Sequence, residues 1–227
     1  MKTGDRLHGY TVKSIEPIEQ IDSVIYNLEH ESTGARHIHI ENSDRENTFG
    51  VTLRTVPEDS TGVAHILEHT VLCGSEKFDV RDPFFSMLKR GLSSFMNALT
   101  ASDWTMYPFS TSIQKDFYNL MDVYLDAVFF PKLDELSFKQ EGHRLEIDES
   151  GDKMELVYKG VVYNEMKGAM SSPREVMGRS LLSALYPDTT YFHNSGGEPS
   201  KIPVLTHQDL IDFHSIYYHP ANAFFYS

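Results

Sequence analysis

Residues 61–74 read TGVAHILEHTVLCG. Thr61 is a good helix N-cap and Cys73-Gly74 a good stop, so the spacing predicts a helix over residues 62–73. On that helix His65 and His69 stand at i and i+4. At about 100° per residue they lie roughly 40° apart, with Glu68 on the same side. Two imidazoles one turn apart can aim their nitrogens at one zinc ion, and a neighbouring carboxylate can take a proton from water held there. A five-residue pattern also arises by chance, and the bland alternative is a helix that turns its polar residues to water.

A catalytic zinc takes three protein ligands, so a further side chain is needed. Cys73 follows His69 at i+4 and is the first rival, but the helix stops there and the thiol reads better as a buried structural group. Glu165 is the stronger candidate. Its neighbours one turn away are Val161, Val162, Gly168 and Ala169, an apolar and small-residue stripe without a cation. A carboxylate buried there needs a partner, which zinc or a distant arginine would supply.

Outward from this core, the first third of the chain reads as strands. Ser23–His30, Arg36–Glu41 and residues 47–55 alternate and carry β-branched or aromatic side chains, with turn chemistry between them, which suggests a meander. Pro83 opens a short helix closed by Gly91, residues 104–111 form a strand, and apolar spacing predicts a helix over residues 113–130, ended by Pro131. Helices are further expected over residues 136–146, 155–170, 175–186 and 206–217. Residues 221–226 (ANAFFY) read as a strand entering a sheet, which suggests a piece of a longer protein.

The 227 residues are read as one domain. With 20 Lys and Arg against 33 Asp and Glu, the net charge of -13 repels nucleic acid and anionic membranes, and would attract basic peptides. No stretch approaches the roughly 18 apolar residues of a membrane span. Cys73, the only cysteine, excludes an internal disulfide, and Met1 to Tyr10 read as neither a secretory signal nor a transit peptide. A cytoplasmic setting is therefore expected. The remaining histidines, including His37, His39, His193, His207, His214 and His219, read as surface or core-edge residues, and Gly196-Gly197 as a turn.

The H-x-x-E-H order matches the inverted zinc signature. Together with GVAHILEHTVLCGSEKFDVRDPFFSML (residues 62–88), SFMNALTASDWTMYPFST (94–111) and KGVVYNEMKGAM (159–170), it makes the chain resemble the pitrilysin family, in particular its presequence-degrading branch. The resemblance implies an α+β fold in which an antiparallel sheet packs against several helices. It implies one zinc ion per chain held by His65, His69 and Glu165, with Glu68 as the base that activates water. It further implies that the segment Phe95, Met96, Asn97, Ala98 is an edge strand to which substrate adds, Asn97 and Ala98 touching the peptide; the alternative for Asn97 is a local turn cap. The implied partners are unfolded peptide substrates and a homologous C-terminal half that closes over this one. The alternatives are a zinc-binding but inactive piece that needs its second half, or a scaffold domain. Other branches place an outer acid seven residues before the third ligand, where this chain has Tyr158, so the group that orients the ligands stays open. Glu141-Gly142-His143-Arg144 is assigned to packing.

Overall fold

The computed structural model describes residues 1–149 and 154–227. The chain opens with five strands, β1 (Arg6–Leu7), β2 (Tyr10–Ile18), β3 (Ser23–His30), β4 (Arg36–Glu41) and β5 (Asn47–Arg54). Helices α1 (Val63–Val71) and α2 (Pro83–Arg90) follow, then the short strands β6 (Phe95–Met96) and β7 (Leu99–Thr100) and the longer β8 (Trp104–Thr111). Helices α3 (Gln114–Phe129) and α4 (Glu135–Glu141) lead into a hairpin of β9 (Arg144–Asp148) and β10 (Glu155–Lys159). Helices α5 (Val161–Ala169), α6 (Pro173–Leu185) and α7 (His207–Tyr217) come next, and β11 (Ala223–Tyr226) is last.

Nine strands form one sheet in the order β1-β2-β3-β4-β11-β5-β8-β6, with β7 also on β8. Every pairing is antiparallel except β4 with β11, so the α+β expectation holds with one parallel step. The expected meander holds for β3 and β4, and β2, which the sequence reading did not include, pairs on the other edge of β3. The meander breaks before β5, because β11 enters between β4 and β5, pairing Phe224 with both Arg36 and Thr52. Local sequence carries no trace of a partner that distant.

Alternation along β5 and β8 directs Phe49, Val51, Leu53, Tyr107 and Phe109 to one face, where all are buried. Helix α3 packs on both strands through Leu120, Tyr124 and Val128, and α1 packs against α4 and α7 to extend the same core. The apolar face of α1 (Val63, Ile66, Leu67, Val71) is buried there, which leaves His65 and His69 on its other side.

Two of the expected helices are shorter than their sequence suggests. Residues 136–146 divide into α4, which ends at Glu141, and β9; residues 155–170 divide into β10 and α5. The cause is a close approach of two glycines, since a side chain on Gly160 would stand 2.0 Å from the Gly142 carbonyl oxygen. The backbones cross at this point and the flanking segments pair as a hairpin, Lys159 opposite Arg144. The helix-forming Leu, Glu and Lys of both segments mask their period-two alternation. The N-cap of α1 also differs: Gly62 occupies it at φ 76°, while the Thr61 hydroxyl donates to Asp59 at 2.6 Å. A Cβ at Gly62 would lie 2.8 Å from Gly196 O, so the first turn sits directly on the 196–197 turn. The remaining helices follow expectation, α7 being capped by Thr206 and Asp209 in a reciprocal box.

Candidate metal centre

Three elements converge on one cleft of about 570 Å³. Helix α1 supplies His65, Glu68 and His69, helix α5 supplies Glu165, and the strand edge from Met96 to Thr100 forms the opposite wall. His65 Nε2 lies 3.8 Å and His69 Nε2 3.9 Å from Glu165 Oε2, and the donor atoms of the three residues all lie within 4.8 Å of one another. These separations exceed hydrogen-bond range. The atoms surround a gap instead of bonding to each other. Donors held at about 2.0–2.1 Å by a tetrahedral zinc stand about 3.4 Å apart, so two imidazole nitrogens and one carboxylate in this arrangement fit the ion in both chemistry and scale.

The ring orientations support the same fit. His65 Nδ1–H donates to the Gly196 carbonyl at 3.1 Å and His69 Nδ1–H to Glu141 Oε2 at 3.2 Å. A carbonyl oxygen only accepts, so His65 Nδ1 bears a hydrogen and Nε2 is the ring nitrogen turned to the gap. Burial pulls the His69 imidazolium down, but its hydrogen bond to Glu141 and the charges of Glu68, Glu141 and Glu165 outweigh burial, and its pKa stands above the ordinary value. Burial likewise opposes ionisation of Glu141, whose carboxyl is nevertheless held low by its bonds to His69 and Gln140.

One assignment made from sequence changes here and another gains a role. Glu141 is not a packing residue but the orienting partner of His69. Gly196 does form a turn, and its carbonyl also orients His65. A Cβ at Gly196 would meet the Met166 sulfur of α5 at 2.9 Å, so glycine permits the close approach that puts this carbonyl in place. The adjacent glycines were the available signal. Glu165 differs from its expected environment: its side chain is 53% exposed, and only Val162 and Met166 of α5 are buried. The carboxylate projects into the open cleft, not into an apolar stripe. Cys73 Sγ lies 3.6 Å from the His69 carbonyl, outside the donor cluster, and burial pushes its pKa up to about 12.

Glu68 is buried, and one carboxylate oxygen, Oε2, accepts a 2.6 Å hydrogen bond from the Thr100 hydroxyl. Nearby, β6 is the last strand on the sheet's path, and Asn97 and Ala98 join it to β7 along the cleft wall. Asn97 Oδ1 accepts from the Ala98 N–H at 3.0 Å, a local turn contact. Other histidines bond to main-chain carbonyls: His143 to Leu205, His207 to Leu133 and His214 to Val128.

Residues 54–191 match the profile described as Insulinase (Peptidase family M16), and the chain belongs to this family. It is 54% identical over 225 residues to a protein of Xenopus laevis named "Presequence protease, mitochondrial", and 52% identical over 227 residues to the Mus musculus protein of the same name. Those alignments cover 99% and 100% of this chain but 22% of each relative, so the chain spans about a fifth of their length. The crystal structure of pitrilysin shares the fold, with a TM-score of 0.66 over 93% of this chain and 22% of pitrilysin, at 21% identity. The expected cytoplasmic setting is overturned by the mitochondrial relatives. A transit peptide is a removable extension outside the folded domain, so Met1 to Tyr10 were no test of compartment.

Proposed function

We propose that this chain is the zinc-bearing part of a longer peptidase that degrades unfolded peptides in mitochondria, with His65, His69 and Glu165 as ligands and Glu68 as general base. The observation that carries it is the gap bounded by His65 Nε2, His69 Nε2 and Glu165 Oε2, with the Glu68 carboxylate in the same cleft. A zinc ion bound there would polarise water and stabilise negative charge developing on the scissile carbonyl. Glu68 accepts the water proton and returns it to the leaving amine. Asn97 and Ala98 lie where an extended peptide can run along the sheet edge, binding through its main chain with little demand on its sequence. The chain's net charge of -13 favours basic peptides, consistent with relatives named for presequences.

The fraction of the relatives covered supports a further element: a second half of the protein closes over the cleft, and the span described here binds zinc yet hydrolyses poorly alone. Elemental analysis of the full-length protein and its His65→Ala and Glu165→Gln variants tests the ligand set. About one zinc per chain is expected in the wild type and well under half in either variant; equal zinc in all three would sink the assignment. Glu141→Ala leaves the ligands intact but frees the His69 ring, and is expected to weaken zinc affinity about 10–100-fold in competition with a chelator.

A further inference from the structure

Behind Glu68 lies a run of hydroxyls with no part in the chemistry above. Thr100 Oγ1 donates to Glu68 Oε2 at 2.6 Å and lies 3.5 Å from Thr105 Oγ1, its cross-strand partner in the β7–β8 pair. Thr105 and Thr55 are fully buried and bond to each other at 2.8 Å. Tyr218 also approaches Thr105, and its phenol bonds to that of Tyr107 at 2.8 Å, both rings buried. The run thus reaches from the cleft into the core along β7 and β8, with Thr55 just past β5 and Tyr218 just past α7.

Its polarity is fixed at one end. An ionised carboxylate only accepts, so the single Thr100 proton points at Glu68 Oε2. Among the described residues, Glu68 Oε1 accepts no hydrogen bond, and it is not a buried atom left without a partner. The two oxygens of the carboxylate are therefore unequal: one is tied to the sheet, and the other, on a side chain that lines the cleft, has no hydrogen-bond partner among the described residues.

From this geometry we infer that Thr100 is a positioning residue, which anchors Glu68 through Oε2 so that Oε1 is the oxygen that exchanges the proton with water. The inference rests on the reading of Glu68 as the general base. A charge-assisted bond at 2.6 Å to a β-strand residue, itself backed by Thr105, removes the rotational freedom that a lone glutamate on a helix face would keep.

The test uses the full-length protein with Thr100→Val, which keeps the shape and β-branching but removes the donor, and Thr100→Ser, which keeps the donor. With a quenched peptide substrate, Thr100→Val is expected to lower kcat about 10–100-fold with KM within about twofold, while Thr100→Ser stays within about threefold of the wild-type kcat. Zinc should remain at about one per chain in both. A crystal structure of metal-free Thr100→Val should show the Glu68 carboxylate rotated from its wild-type position. A kcat unchanged in Thr100→Val, an equal loss in Thr100→Ser, loss of zinc, or an unmoved Glu68 would each overturn the positioning role. Glu68→Gln measured alongside separates the two levels: if that variant still cleaves, the base assignment itself has failed, whatever Thr100 does.

Discussion

Glu68→Gln in the full-length protein is expected to retain about one zinc per chain and to lose about 10²–10⁴-fold in kcat, the range that a positioned proton-transfer group contributes. Zinc persists because the donors facing the gap belong to His65, His69 and Glu165. The substitution is nearly isosteric, and the Gln side-chain oxygen can still accept from Thr100, so the fold has no reason to change. Elemental analysis paired with peptide cleavage reads both quantities. Zinc lost with activity would make Glu68 a structural residue, and activity retained would remove it from the mechanism.

Gly160→Ala is expected to be the most damaging glycine-to-alanine change among the described residues. Its Cβ would stand 2.0 Å from the Gly142 carbonyl oxygen, 2.6 Å from the carbonyl carbon and 2.9 Å from the His143 Cα. All three are backbone atoms and cannot swing aside, so the junction of β10 and α5 must move away from the end of α4. A loss of about 3 kcal/mol or more follows, at the upper end of what one substitution does. The crossing also holds Glu141 one residue before Gly142 and Glu165 five residues after Gly160, so zinc retention under chelator should fall together with the unfolding temperature. Gly168→Ala is the control: nothing lies within 4 Å of its Cβ, and near the end of helix α5 it should be neutral or stabilising by up to about 1 kcal/mol. Equal behaviour of the two variants would show that the crossing bears no strain.

How much of this was legible in the chain depended on distance along it. His65, Glu68 and His69 share one helical turn, and periodicity alone placed them on one face. Glu165 was singled out by its apolar neighbours, but only the N-E-M-K-G segment tied it to the histidines, because nothing local says that α5 lies across the cleft from α1; its half-exposed carboxylate also defeats the argument from burial. Glu141 and Gly196 were missed as orienting groups for the same reason, being 72 and 131 residues from the histidines they serve. Helix ends were readable where a cap is local, as at Thr206 and Pro83. They failed where a long-range contact decides, as at the Gly142–Gly160 crossing, and the strand alternation of residues 144–148 and 155–159 was hidden by side chains that favour helices.

The position of β11 bears on how the chain can be made. His37 of β4 and Ser227, just beyond β11, are 190 residues apart in sequence yet joined by a hydrogen bond. While the protein is being synthesised, β4 and β5 therefore wait with their facing edges unpaired until residue 223 has left the ribosome. Exposed edges of this kind recruit other strands, and non-local closure is slow. The same holds for any unfolded chain passed across a membrane from one end. A late closing step is thus written into the strand order, independent of the residues around the candidate metal centre.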